Sequence, residues 1–132
     1  MKEIDIRTNS RTEMIDITNL VQVAINEEKV KSGICVVFAP HTTAAVTINE
    51  NADPDVPRDI ISALEKTVPK SANYRHTEGN SPAHVKSSLL GASELVLIED
   101  GRMVLGTWQS IFFCEFDGPR QRKVLVSVLA NK

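Results

Sequence analysis

With 132 residues, 42% of them hydrophobic and 24% charged, the chain has the size and make-up of one domain spanning 1–132 that can bury a core without disulfides. A formal net charge of −2 gives no general basic signature for nucleic acid, and the one basic cluster, Pro119 to Lys123, follows a turn and reads as a strand entrance. The polar start MKEIDIRTNS is unlike a signal peptide and no apolar run is long enough to span a bilayer, so the expectation is a cytoplasmic protein with no nucleic-acid or membrane partner.

Ile4 and Ile6 alternate with charge, as in a first strand. The next segment, 16–33, changes to helical spacing: Leu20, Val21, Ala24 and Ile25 form one face, Thr18 is the expected N-cap, and Gly33 the expected end. ICVVFA, from Ile34 to Ala39, is a short run without polar interruption and reads as a strand buried on both faces. It includes Cys35; that residue and Cys114 lie in apolar runs without CxxC spacing and read as buried thiols. Ala44–Glu50 is a further strand.

Asp55 and Pro57 mark the start of a second helix. Ile60, Ile61, Leu64 and Val68 form its apolar face, and Pro69 stops it. SPAHVKSSLLG reads as a shorter helix with Ser81 as N-cap, Pro82 at the first helical position and Gly91 just past the end. Two hairpins follow: one around the Asp100-Gly101 pair, and one formed by Ser110–Phe116 and Val124–Ala130 on either side of the DGPR turn. The fold class is therefore α+β, a largely antiparallel sheet carrying two or three helices. The last two strands are apolar on both faces. In a chain this small that calls for a second layer or a neighbouring subunit.

The chain spends only three histidines, and two of them, His76 and His84, flank a turn containing Gly79 and Pro82. His84 falls in the first turn of its helix, where the helix dipole disfavours imidazolium; a neutral imidazole is what a metal requires. His41 stands at the end of a buried strand. Three histidines with an open position are the pattern of a catalytic zinc site, and the same residues also serve as local hydrogen-bonding groups. Glu50 and Asp53 follow a strand within reach of His41. There they orient imidazoles, act as a general base, or simply place acids before a helix start. Glu115 shares a strand face with Ile111 and Phe113 and needs a cationic partner, which Arg120 or Arg122 across the next turn supplies. Lys86, beside the free N–H groups of a helix start, suits a phosphate. Trp108 and Gln109 place an aromatic ring and an amide on a strand, in the core or against a planar ligand.

Taken together, HTTAAVTINENADPDV, YRHTEGNSPAHVKSS and SELVLIEDGRMVLGTWQSI resemble the YjbQ family over nearly the whole chain. The resemblance implies a homotrimer with a pocket built from the histidine-bearing segments. It also implies a weak thiamine-phosphate synthase activity that joins a pyrimidine diphosphate to a thiazole phosphate and releases pyrophosphate. By position His41, His76 and His84 match the family's histidine slots, and with them come a divalent metal, zinc or magnesium, and a small phosphorylated metabolite. Glu50, Asp53, Lys86, Trp108, Gln109 and Glu115 match its polar and aromatic motif positions. The HTEGN loop is shorter than the acidic version of some members, which leaves Glu78 without an assigned role. The usual enzyme for this reaction is a TIM barrel, for which 132 residues are too few. A non-catalytic trimeric module binding a phosphorylated metabolite or a metal is the alternative.

Overall fold

A computed structural model describes residues 1–132. In chain order the elements are β1 (Lys2–Arg7), β2 (Glu13–Asp16), α1 (Thr18–Glu28), β3 (Gly33–Phe38), β4 (Ala44–Glu50), α2 (Asp55–Thr67), α3 (Ser81–Leu90), β5 (Ser93–Glu99), β6 (Arg102–Met103), β7 (Gln109–Glu115) and β8 (Gln121–Ala130). They build two antiparallel sheets, one in the order β1-β8-β3-β5-β6 and one in the order β2-β7-β4. The α+β class expected from sequence is the class observed.

The main core draws on both sheets and on α1. Val37, Val96 and Val126 come from the larger sheet, Val46, Ile111 and Phe113 from the smaller, and Val21 and Ile25 from the helix. Strand β7 explains why two layers are needed. Ile111 and Phe113 point into this core, while Phe112 and Cys114 join Ala45, Ala83 and Phe116 in a second cluster, against which Leu64 of α2 and Leu90 of α3 pack. Each face of β7 is thus covered from within the chain, as its two apolar faces required.

Several expectations are corrected. β7 and β8 do not form a hairpin: β7 pairs with β2 and β4, whereas β8 lies between β1 and β3 in the other sheet, so residues 116–120 cross between layers. Strand β2 lies outside the elements read from the sequence. Helix α1 ends at Glu28, with Lys29 in the left-handed region at φ 56°, and Gly33 opens β3 instead of closing the helix. There a Cβ would lie 2.0 Å from the Leu129 carbonyl oxygen, so β8 passes too close for any side chain. Ile17 and Asn80, not Thr18 and Ser81, occupy the N-cap positions of α1 and α3. Strand β3 is buried on one face only; its other face carries Ile34, Val36 and Phe38, the last 40% exposed. The β5–β6 turn is as expected, with Asp100 and Gly101 both at positive φ, the backbone that a two-residue turn of this hand requires.

A candidate anion cavity around His41

The crossing segment between β7 and β8 brings a carboxylate and a guanidinium together inside the protein. Glu115, at the end of β7, has no exposed surface, and Arg122, at the start of β8, is 3% exposed. Arg122 Nε donates to Glu115 Oε1 at 2.8 Å and Nη2 to Oε2, a bidentate pair. The remaining capacity is used as well. Thr8 Oγ1 donates to Oε1 at 2.8 Å, the Asp117 N–H donates to Oε2 at 3.0 Å, and Arg122 Nη2 also donates to Thr43 Oγ1 at 2.8 Å. Burial alone would push the Glu115 carboxyl up. The hydrogen bonds from Arg122, the Asp117 N–H and Thr8 outweigh it and hold the group below the usual carboxylate range.

Through Thr43 this network fixes the loop between β3 and β4, and with it His41. The Lys123 N–H lies 2.9 Å from His41 Nε2. The Lys123 carbonyl is also close, at 3.1 Å, but a main-chain N–H can only donate. In the neutral ring Nε2 is therefore the acceptor and the proton sits on Nδ1. The ring stands edge-on to Phe113, with centroids 6.4 Å apart. Partial burial, reinforced by the Arg122 charge, lowers the His41 pKa below the ordinary histidine value; the Lys123 backbone and Glu115 oppose the shift and Arg120 adds to it.

Beside His41 opens a cavity of about 540 Å³, lined by Phe38 to Thr43, Ala92, Arg120 and Arg122, without a single carboxylate. Arg122 spends its charge on Glu115. Arg120 is different: half exposed, it donates from Nε to the Asp117 carbonyl at 2.9 Å and from Nη2 to Asp117 Oδ2 at 3.2 Å, leaving further N–H groups free. A partly free guanidinium, a neutral imidazole with its Nδ1 proton and the Thr42 hydroxyl are suited to holding a phosphate-like anion.

The other sequence candidates are distributed differently. His76 and His84 do meet, their rings edge-to-face with centroids 5.2 Å apart, and His76 Nε2 lies 3.8 Å from Glu78. His41 is not with them, and nowhere in the chain do three or more His, Cys, Asp or Glu side chains gather into a cradle for a metal ion. Asp53 Oδ1 accepts the Asp55 N–H at the start of α2, and Glu50 ends β4, neither lining the His41 cavity. Trp108 is 63% exposed, and Gln109 turns its amide oxygen back to the Gly106 N–H. Lys86 is buried against Glu65 and lines a different cavity. Asp117 and Thr43, which hold Arg120 and Arg122, were missed from the sequence. The available signal was an acid and two arginines packed into DGPRQR directly after a strand with no exposed face.

The family model described as "UPF0047 protein YjbQ-like" matches residues 2–131. A UPF0047 protein of Methanocaldococcus jannaschii is 56% identical over 127 residues, covering 96% of this chain and 92% of that protein. The UPF0047 protein YugU of Bacillus subtilis is 48% identical over 130 residues, covering 98% of each. Among solved structures, an uncharacterised YjbQ/UPF0047 family protein of Clostridium acetobutylicum superposes with a TM-score of 0.96 at 55% identity, over 98% of this chain and all of the other. A YjbQ-like protein of unknown function from Sulfolobus solfataricus gives a TM-score of 0.94 at 33% identity, over 98% of this chain and 96% of the other.

Proposed function

The chain belongs to the UPF0047 YjbQ-like family, and on that basis we propose that it holds a small phosphorylated metabolite in the His41–Arg120 cavity and works as a weak thiamine-phosphate synthase. In this reaction the ring nitrogen of a thiazole phosphate forms a bond to the methylene carbon of a pyrimidine diphosphate. The carbon–oxygen bond breaks, and pyrophosphate leaves with the electron pair. The protein's task is to bind the diphosphate and stabilise the charge that grows on it. Arg120 and the Nδ1–H of His41 are the donors for that charge; Asp117 engages one edge of the Arg120 guanidinium and leaves further N–H groups for the ligand. The absence of a carboxylate from the cavity wall is the observation that supports this function. Glu50 and Asp53 have no catalytic task in it.

The test is calorimetric titration with inorganic pyrophosphate, alongside an assay for pyrophosphate release. Losing a charge-assisted hydrogen bond costs about 1.5–3 kcal/mol, so Arg120→Ala is expected to weaken binding roughly tenfold or more, with turnover falling in parallel. Equal affinity in Arg120→Ala and the parent chain would sink the proposal. Binding without turnover of any pyrimidine diphosphate would favour the non-catalytic module.

The His76–His84 pair supports a second role. It offers two donors to a divalent ion, and a homotrimer would let a neighbouring chain supply the rest. Elemental analysis decides this. About one zinc or similar ion per chain, lost in His84→Ala, is the expected result, and metal-free parent protein after incubation with zinc ends the idea.

A further inference from the structure

A second cavity, of about 320 Å³, opens where the loop after β1, the C-terminal part of α2 and the start of α3 meet. Its walls carry three cations, Arg11, Lys70 and Lys86, against one carboxylate, Glu65. Lys86 projects from the inner side of α3, only 4% exposed, with its ammonium 5.9 Å from the centre of the Phe116 ring. Nζ donates to Glu65 Oε1 at 2.6 Å. An ammonium has three N–H donors, and that carboxylate accepts one of them. Glu65 itself is about half exposed and sits on the outside of the pair. An ammonium this little exposed, with a single partner at the rim and two further cations around the same space, is poorly compensated as a structural ion pair. It is well placed to receive an anion.

We propose that this cavity is a second anion site, taking the phosphate or diphosphate group of a small phosphorylated metabolite, with Lys86 as its buried anchor and Lys70 and Arg11 closing on the ligand from the rim. The site depends on its own lining residues and not on what occupies the His41 cavity. One carboxylate joins the two: Asp117 lies 3.8 Å from Arg11 of this cavity and 3.2 Å from Arg120 of the other. Glu65 competes with the incoming anion for Lys86, which makes its removal diagnostic. For a structural pair, Glu65→Gln only destabilises the protein. For an anion site, it tightens binding.

The test is a titration of the full chain with inorganic pyrophosphate at low ionic strength, followed through backbone amide NMR shifts. The Gly79 and Ala83 amides report on this cavity, and Ala39 and Thr42 on the other. The expected result is saturable shifts at Gly79 and Ala83, about tenfold weaker in Lys70→Gln and about tenfold tighter in Glu65→Gln. Lys70 is exposed, so its replacement leaves the fold intact and keeps the test decisive where Lys86→Met does not fold. Unmoved Gly79 and Ala83 amides, an unchanged affinity in Lys70→Gln, or weaker binding in Glu65→Gln would each overturn the proposal. Failure of the His41 site shows separately, as static Ala39 and Thr42 signals.

Discussion

A carboxylate with no exposed surface survives at position 115 because every oxygen lone pair that matters has a donor aimed at it. Glu115→Gln would leave the Arg122 guanidinium buried without a counter-charge. Breaking one half of such a pair costs about 3–5 kcal/mol, so a large drop in urea-unfolding stability is expected, and less coupling penalty in the Glu115→Gln, Arg122→Met double variant than the sum of the singles. The pH dependence follows from the depressed Glu115 pKa. A carboxyl whose pKa is lower folded than unfolded stabilises the fold above its unfolded value, about 4.3, and loses that contribution as pH falls through the folded one. Parent stability should therefore decline in acid, and Glu115→Gln should lack that share of the decline. That Glu115 needs an arginine was legible in the sequence, because a charge had been placed among strand apolar residues. Its choice of Arg122 over Arg120 was not legible, nor were Thr8 and Thr43. Threonines carry no signal of their own, and their partners here lie 107 and 79 residues away.

At the level of elements, what was legible is what local chemistry dictates. Strand β4 occupies the expected Ala44–Glu50, α2 starts at its Asp-Pro signals and stops before Pro69, and the Asp100-Gly101 turn follows from backbone preference. Pairing was not legible, because it is decided at a distance. A five-residue connection suggests a hairpin, yet β8 has ten residues and is held on both edges by β1 and β3, and those edges exclude β7. Strand β2 escaped notice because its four residues, EMID, place two apolar side chains between acids. The early end of α1 rests on a lysine in the left-handed region, a conformation lysine does not announce. The candidate site divided along the same lines. His76 and His84 are close in sequence and meet in space. His41 belongs to another cavity because loop 39–43 is positioned from β8 and β7, not from α3.

On the scale of the whole molecule, the outer face of the larger sheet is the feature a single chain leaves unexplained. Strand register sets Leu129, Ile34 and Leu97 in one row, Val36 and Leu95 in the next, and Leu125 beside Phe38 in a third. Leu95, Leu97 and Leu129 are each more than half exposed. A contiguous apolar face of this kind on a sheet is what an interface between copies needs. Phe38 belongs to that face and also lines the His41 cavity, so a neighbouring chain packed there would wall in the anion site. These observations support self-association through this face, for which the family resemblance implies three copies. In sedimentation equilibrium the parent protein is expected at about three times the 14.5 kDa chain mass. Leu97→Lys, which puts a charge on the face at a position 57% exposed and outside the core, is expected to shift it to the single-chain mass with its circular dichroism unchanged. It should also weaken pyrophosphate binding at Ala39 and Thr42 while sparing Gly79 and Ala83. A parent protein that sediments at 14.5 kDa would remove the oligomer and, with it, any partner-supplied ligand for the His76–His84 pair.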